Sequence, residues 1–109
     1  KQVPVYISCL ELPSLQPDVA SLQFTQHLDT ITIGSIPITC YHTPGHSPGG
    51  QCFYSSPHLI TGDTLFVNGC GRCDLKGSSL SDMYDSLQLL KSFNPDTILY
   101  PGHDYGRRP

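Results

Sequence analysis

From residue 30 onward, short apolar runs alternate with clusters of Gly, Pro, Ser and Asn, and that rhythm predicts strands. Residues 30–42 hold two β-branched runs around Gly34-Ser35 and read as a hairpin, with Ile36, Ile38 and Cys40 on an inward face. Residues 51–54 and 58–61 read as two more strands around Ser55-Ser56-Pro57. Residues 64–67 continue the run after the turn Gly62-Asp63-Thr64. Residues 97–100 form a last strand, ending at Pro101-Gly102-His103-Asp104. Upstream, residues 1–8 read as a short buried strand through Val3, Val5, Tyr6 and Ile7. Pro13 and Pro17 exclude a long helix from residues 9–28, which read as loop with one short helical turn capped by Asp18 or Ser21.

One segment changes period. Met83, Leu87 and Leu90 lie at i, i+4 and i+7, with Tyr84 assigned to the same side, and predict a helix at about 80–93. Ser79 or Ser81 is the N-cap, and Asp82 and Asp85 sit in the first turns, where the helix dipole favours negative charge. Lys91 lies near the C-terminal end and Asn94-Pro95 stops the helix. The expected architecture is a single α/β domain over residues 1–109, built of short mixed and antiparallel strands with one clear helix.

Ten Gly and ten Pro in 109 residues agree with a chain rich in turns. Net charge is −3 and the six Lys and Arg are scattered, so no basic stripe marks a nucleic-acid partner. No apolar run approaches the roughly 20 residues of a membrane span, and no secretory pattern opens the chain; neither membrane nor nucleic acid is an expected partner. Five cysteines make an odd count without framework spacing, which favours reduced thiols and a cytoplasmic setting. Cys40 and Cys52 sit in apolar runs and read as core.

Candidate chemistry gathers at three turns. His46, Asp63 and His103 each follow a Gly, and each closes a short apolar stretch. Imidazole and carboxylate are the usual nitrogen and oxygen ligands of zinc, iron or manganese. Strand ends running into Gly turns hold such ligands rigidly and let the backbone pass close to an ion. The separations, 17 residues from His46 to Asp63 and 40 from there to His103, are no local metal signature. The competing reading is a set of polar turn residues, with His46 at the surface and Asp63 in an Asx-turn. Cys70-Gly71-Arg72-Cys73 has the spacing of a redox pair or half a zinc knuckle, but no second CxxC occurs and no helix is predicted at Cys70. The plainer reading is a loop ordered by an Arg72–Asp74 ion pair. His27, His42 and His58 read as structural or surface residues, and Tyr105 either lines a pocket or packs.

The segments HTPGHSPGG, LITGDTLFVNGCGR and LYPGHDYG, in that order, resemble the metallo-β-lactamase superfamily. Within it they are most similar to the hydroxyacylglutathione hydrolase (glyoxalase II) and persulfide dioxygenase branch. The resemblance runs over residues 30–106, about two-thirds of the chain. PVYIS also resembles the strand after that family's first metal-binding helix. This implies a partial αββα sandwich, mainly its second half. It implies that His46 is the third His of the first metal site, that Asp63 is the catalytic carboxylate bridging two metals, and that His103 is a ligand of the second. In mono-iron persulfide dioxygenases the positions of His46 and Asp63 supply two of three iron ligands. Arg72 and Tyr105 are implied pocket residues.

The implied cofactor is zinc, with iron or manganese as alternatives, and no residue for an organic cofactor is singled out. The implied partner is a small-molecule thioester or persulfide. The implied reaction is thioester hydrolysis by a metal-bound hydroxide. A mono-iron oxygenase is the first alternative, and a non-catalytic remnant that self-associates through exposed strand edges is the second. GCGRCDL is similar to the GCGR-T-D loop of this branch, with Cys73 in place of the usual Thr. The ending PGHDYG leans toward the dioxygenase or uncharacterised hydrolase side. The family's HxHxDH motif does not occur in these 109 residues, since no two His are separated by one residue. The glutathione-binding helical region of glyoxalase II has no counterpart here either. The chain is therefore expected to be a piece of the fold that alone binds metal weakly or not at all, with negligible turnover.

Overall fold

The computed structural model describes residues 4–14 and 22–105. Val5–Ser8 forms β1, and a 3-10 helix, Cys9–Ser14, follows it. Leu22–Thr25 forms β2 and pairs with β1 in parallel. β2 lies where the prolines predicted loop. Its four residues are too few to register as alternation, and pairing with β1 supplies its backbone partners. The turn to be capped by Asp18 or Ser21 lies outside the described residues, as does Val3. The expected burial of β1 is corrected: Val5 and Tyr6 are exposed and Ser8 is its buried residue. A two-stranded ribbon has too few neighbours to cover itself.

The other strands follow the sequence pattern. They are β3 (Thr30–Ile33), β4 (Ile36–His42), β5 (Gln51–Ser55), β6 (His58–Gly62), β7 (Leu65–Phe66) and β8 (Gly69–Cys70). The helix α1 (Leu80–Lys91) leads to β9 (Ile98–Pro101). β3 to β6 form an antiparallel meander, and β9 joins its β6 edge in parallel. A parallel neighbour requires a crossover, and α1 lies within it. β7 and β8 pair as a small ribbon beside the sheet, and β8 falls in what read as plain loop.

Register divides the sheet into two faces. Tyr54 lies opposite Leu59, and Leu59 opposite Leu99, whereas Phe53 lies opposite Ile60, and Ile60 opposite Tyr100. Cys52 and Leu59 form the core with Leu90 of the helix, packed by Tyr41, Tyr54, Leu65 and Phe93. Phe93 meets Tyr41 and Tyr54 edge-on, with centroids 5.0 and 4.9 Å apart. Full burial of a side chain such as Leu59 contributes about 1.5–3 kcal/mol. The opposite face carries Ile31, Ile33, Ile36, Ile38, Phe53, Ile60, Ile98 and Tyr100. Its Ile33 and Ile36 are 63% and 56% exposed. Of the three residues expected to point inward on β4, only Cys40 is buried.

Helix α1 ends at Lys91 rather than 93, with Ser92 as C-cap, and the Ser79 hydroxyl accepts the Asp82 amide at its N-terminus. Its buried stripe is Met83, Ser86 and Leu90. Tyr84 is 65% exposed, which corrects its assignment to the apolar side. One residue on from Met83 is about 100° around a 3.6-residue turn, away from the sheet. Ser86 interrupts the apolar pattern because its hydroxyl donates to the Pro44 carbonyl at 2.6 Å. The helix also packs closely on Gly45, where an added Cβ would lie 2.6 Å from Met83 Cα at a φ of +147°. Among the described residues, no helix is long and apolar enough to cross a membrane.

These contacts set an order of sensitivity. Ser79→Ala removes one cap hydrogen bond and should cost about 1 kcal/mol. Gly45→Ala should cost more, about 2–3 kcal/mol, because backbone meets side chain there. Urea unfolding followed by circular dichroism reads both, and an equal or smaller loss for Gly45→Ala would show that the helix contact yields.

Candidate metal centre

The three turns singled out in the sequence meet at one end of the main sheet. His46 lies just beyond β4, Asp63 just beyond β6 and His103 just beyond β9. The Thr43 amide donates to the Gly50 carbonyl at 2.8 Å, closing the loop that carries His46. The helix end secures the same loop: the Ser79 amide donates to the Gly45 carbonyl at 2.8 Å and Ser78 Oγ to the His46 carbonyl at 2.9 Å. The Gly102 amide donates to the Gly62 carbonyl at 2.7 Å, which sets the His103 turn beside the Asp63 turn. The Tyr105 amide donates to the Val67 carbonyl at 3.1 Å and ties down the far side.

Asp63 stands between the two imidazoles. His46 Nε2 lies 3.7 Å from Asp63 Oδ2, and His103 Nε2 lies 3.3 Å from Asp63 Oδ1. Each His thus faces a different carboxylate oxygen. The His46 tautomer follows from its other nitrogen. Nδ1 is 2.8 Å from the Arg72 carbonyl, which can only accept, so Nδ1 carries a proton. In the neutral ring Nε2 then directs a lone pair at a carboxylate oxygen, at a distance too long for a hydrogen bond. A cation between them satisfies both. Two donors each about 2.0–2.2 Å from one ion stand about this far apart, and a backbone carbonyl on the remote nitrogen is the usual partner of a ligating His. The donor set therefore fits a zinc-type metal. Among the described residues no three His, Cys, Asp or Glu are arranged to hold a single ion.

Close packing makes the arrangement rigid. A Cβ on Gly71 would collide with the Asp63 carbonyl and lie 2.9 Å from His46 Cβ and Cγ. The cleft has a volume of about 200 Å³ and is lined by His46, Asp63, Phe66, Cys70, Arg72 and Tyr105, with His103 beside them. Tyr105 both lines it and packs: its ring stacks on His103 at 5.9 Å, and Phe66 meets His103 edge-on at 4.9 Å. Arg72 forms the expected ion pair, with Nε and a terminal nitrogen 2.6 and 3.0 Å from the Asp74 oxygens. These hydrogen bonds hold the Asp74 carboxyl below its usual range and the guanidinium above its own.

The remaining histidines have partners of their own, which sequence reasoning did not find. His27 Nδ1 accepts the His42 amide at 3.0 Å, and His58 Nδ1 lies 2.9 Å from the Tyr100 hydroxyl. Also unforeseen were Ser78, Ser79 and Ser86 as clamps on the His46 turn. Serine is common both in loops and at helix ends, so its type alone gives no signal for that role.

Comparison with known proteins identifies the family. The family model described as the metallo-beta-lactamase superfamily matches residues 11–103. A probable polyketide biosynthesis zinc-dependent hydrolase of Bacillus subtilis is 42% identical over 96% of this chain and 47% of its own length. A hydroxyacylglutathione hydrolase of Salmonella paratyphi A is 38% identical over 85% of this chain and 36% of its own. Among solved structures, ETHE1 from Myxococcus xanthus superposes with a TM-score of 0.76 at 34% identity, over 84% of this chain and 40% of that one. A protein crystallised in a di-iron-bound form superposes with a TM-score of 0.81 at 29% identity, over 93% of this chain and 57% of that one. The chain spans about half the length of the curated relatives it matches, or less. With the family model matched over most of its length, the chain belongs to the metallo-beta-lactamase superfamily.

Proposed function

We propose that this chain carries the His46–Asp63–His103 part of the metal centre of a thioester hydrolase. One observation carries the reading: the two oxygens of Asp63 face two different imidazoles, an arrangement suited to a carboxylate shared between two metal ions. When bound, zinc would polarise a thioester carbonyl and bring the pKa of a water toward about 7. The chain's own residues supply the frame. His46, with Nδ1 committed to the Arg72 carbonyl, holds Nε2 toward the cleft. Asp63, half-exposed beside the cleft, is placed to orient the attacking water. His103, held between Phe66 and Tyr105, supplies the second nitrogen. The hydrolase names of the two relatives support this class, and five free cysteines accord with a cytoplasmic setting.

The metal requirement is testable in this chain. Alone it should bind zinc weakly or not at all, with negligible turnover, because each metal position lacks partners. Sub-micromolar, stoichiometric binding in a calorimetric titration, lost in His46→Ala, would overturn that. Joined to a segment bearing HxHxDH, the chain should hydrolyse acyl thioesters, and Asp63→Asn should lower kcat by about 10²–10⁴-fold.

Two alternatives have their own support. Likeness to ETHE1 favours a persulfide dioxygenase-like mono-iron site using His46 and Asp63. In the joined chain, His103→Ala should abolish thioester hydrolysis, whereas an iron site on His46 and Asp63 would survive it and consume dioxygen with a persulfide. The exposed Ile33, Ile36, Ile60, Ile98 and Tyr100 favour an association module. Light scattering should then find self-association at micromolar concentration, and a compact monomer would remove that reading.

A further inference from the structure

Glu11 belongs to the 3-10 helix that follows β1, yet its side chain ends on the loop that carries His46. Its carboxylate accepts the hydroxyl of Ser47, the residue after His46 and 36 positions away in the chain. A carboxylate only accepts, so the Ser47 hydroxyl must donate, and a charged acceptor makes the bond a strong one. The helix and the loop also pack tightly. A Cβ on Gly49 would lie 2.8 Å from the Glu11 amide nitrogen and 2.9 Å from its carboxyl carbon.

Ser47 in turn shapes the loop. Its carbonyl accepts the Gly45 amide at 3.2 Å and the Gly50 amide at 3.3 Å, so hydrogen bonds from both sides of His46 converge on its neighbour. The β1–β2 ribbon grips the loop a second time at its end, where Gln51 Nε2 donates to Thr25 Oγ1 at 2.6 Å. Thr25 is the buried last residue of β2. Helix α1 thus holds the His46 turn from one side through Ser78, Ser79 and Ser86, and the ribbon holds it from the other through Glu11 and Thr25. Neither Glu11 nor Ser47 lines the cleft.

We propose that Glu11 is a positioning residue of the candidate metal centre. By holding Ser47 it fixes the turn so that His46 Nδ1 stays on the Arg72 carbonyl and Nε2 faces Asp63. It touches neither metal nor substrate. The consequence for catalysis rests on the reading of His46 as a ligand; the effect on the imidazole does not.

Nitrogen-15 spectra of the imidazoles in the 109-residue chain test the first step. In the unaltered chain His46 should show a protonated Nδ1 and a bare Nε2. In Glu11→Ala the two resonances should draw together as the tautomers mix. His58, whose Nδ1 meets the Tyr100 hydroxyl, should stay as it is and serves as the internal control. Glu11→Gln, whose amide oxygen still accepts the Ser47 hydroxyl, should restore the His46 pattern. Ser47→Ala removes the same bond while sparing the packing on Gly49, and should reproduce the change even where Glu11→Ala fails to fold. An unmoved His46 in Ser47→Ala, equal changes at His46 and His58, or no rescue by Glu11→Gln overturns the positioning role. In the chain joined to a segment bearing HxHxDH, Glu11→Ala should lower kcat by about 10–10²-fold with KM little changed, since misplacement of a ligating group acts on the chemical step. A joined chain that hydrolyses thioesters with kcat unmoved by Glu11→Ala removes the catalytic consequence alone. A His46 spectrum that responds as expected in a joined chain without thioesterase activity removes the hydrolase reading and leaves the positioning of His46 standing.

Discussion

Two buried hydroxyls hold the candidate centre together. Thr43 immediately precedes the Pro44-Gly45-His46 turn and Thr64 immediately follows Asp63, and their Oγ1 atoms meet at 3.1 Å. Thr43 also lies 3.3 Å from Cys52 Sγ, and Thr64 donates to the Thr43 carbonyl at 3.5 Å. Both threonines are almost completely inaccessible to water. Separating them would leave polar atoms unpaired in the interior, at about 1–3 kcal/mol each. The turns that carry His46 and Asp63 are thus locked to each other from beneath, and the imidazole and carboxylate above them have little freedom in their separation.

The helix completes that lock from the side. Its apolar residues Met83 and Leu90 bury against the sheet, while Ser78, Ser79 and Ser86 spend hydrogen bonds on the backbone of the His46 turn. Small polar residues suit this work because their hydroxyls reach carbonyls without holding the elements apart. One face of the sheet is thereby committed to the helix and to the site at its end. The other remains an apolar surface of isoleucines and aromatic residues, half-exposed among the described residues. The single chain therefore combines a closely held His–Asp–His cluster with a large exposed hydrophobic face.

Much of this was legible beforehand. Alternation and turn residues located β3 to β6 and β9, because a half-buried antiparallel meander imposes period two on its own sequence. Helix α1 was legible from its own local period, with its cap narrowed to Ser79 or Ser81. β2 was not, since four residues pairing with a distant strand leave no periodic trace. Tyr84 and the β4 isoleucines were misplaced because periodicity identifies a stripe but not what covers it. An isoleucine on a strand reads alike whether it faces a helix or open solvent.

For the site, residue order and type sufficed to single out His46, Asp63 and His103, since each ends an apolar run with a Gly turn and the motifs are ordered as in one family. Their chemistry depended on contacts that no spacing encodes. The separation of 40 residues is closed by pairing of the neighbours β6 and β9 and by the Gly102–Gly62 hydrogen bond across two strand ends, and that of 17 by the Thr43–Thr64 contact just beyond the strands that flank β5. That folding alone decides which oxygen of Asp63 meets which imidazole. It also puts the Arg72 carbonyl on His46 Nδ1 and leaves Nε2 facing Asp63. Local sequence selects residues and elements because propensity and period are local; a tautomer and a carboxylate set between two imidazoles are fixed by atoms brought together from four separate parts of the chain.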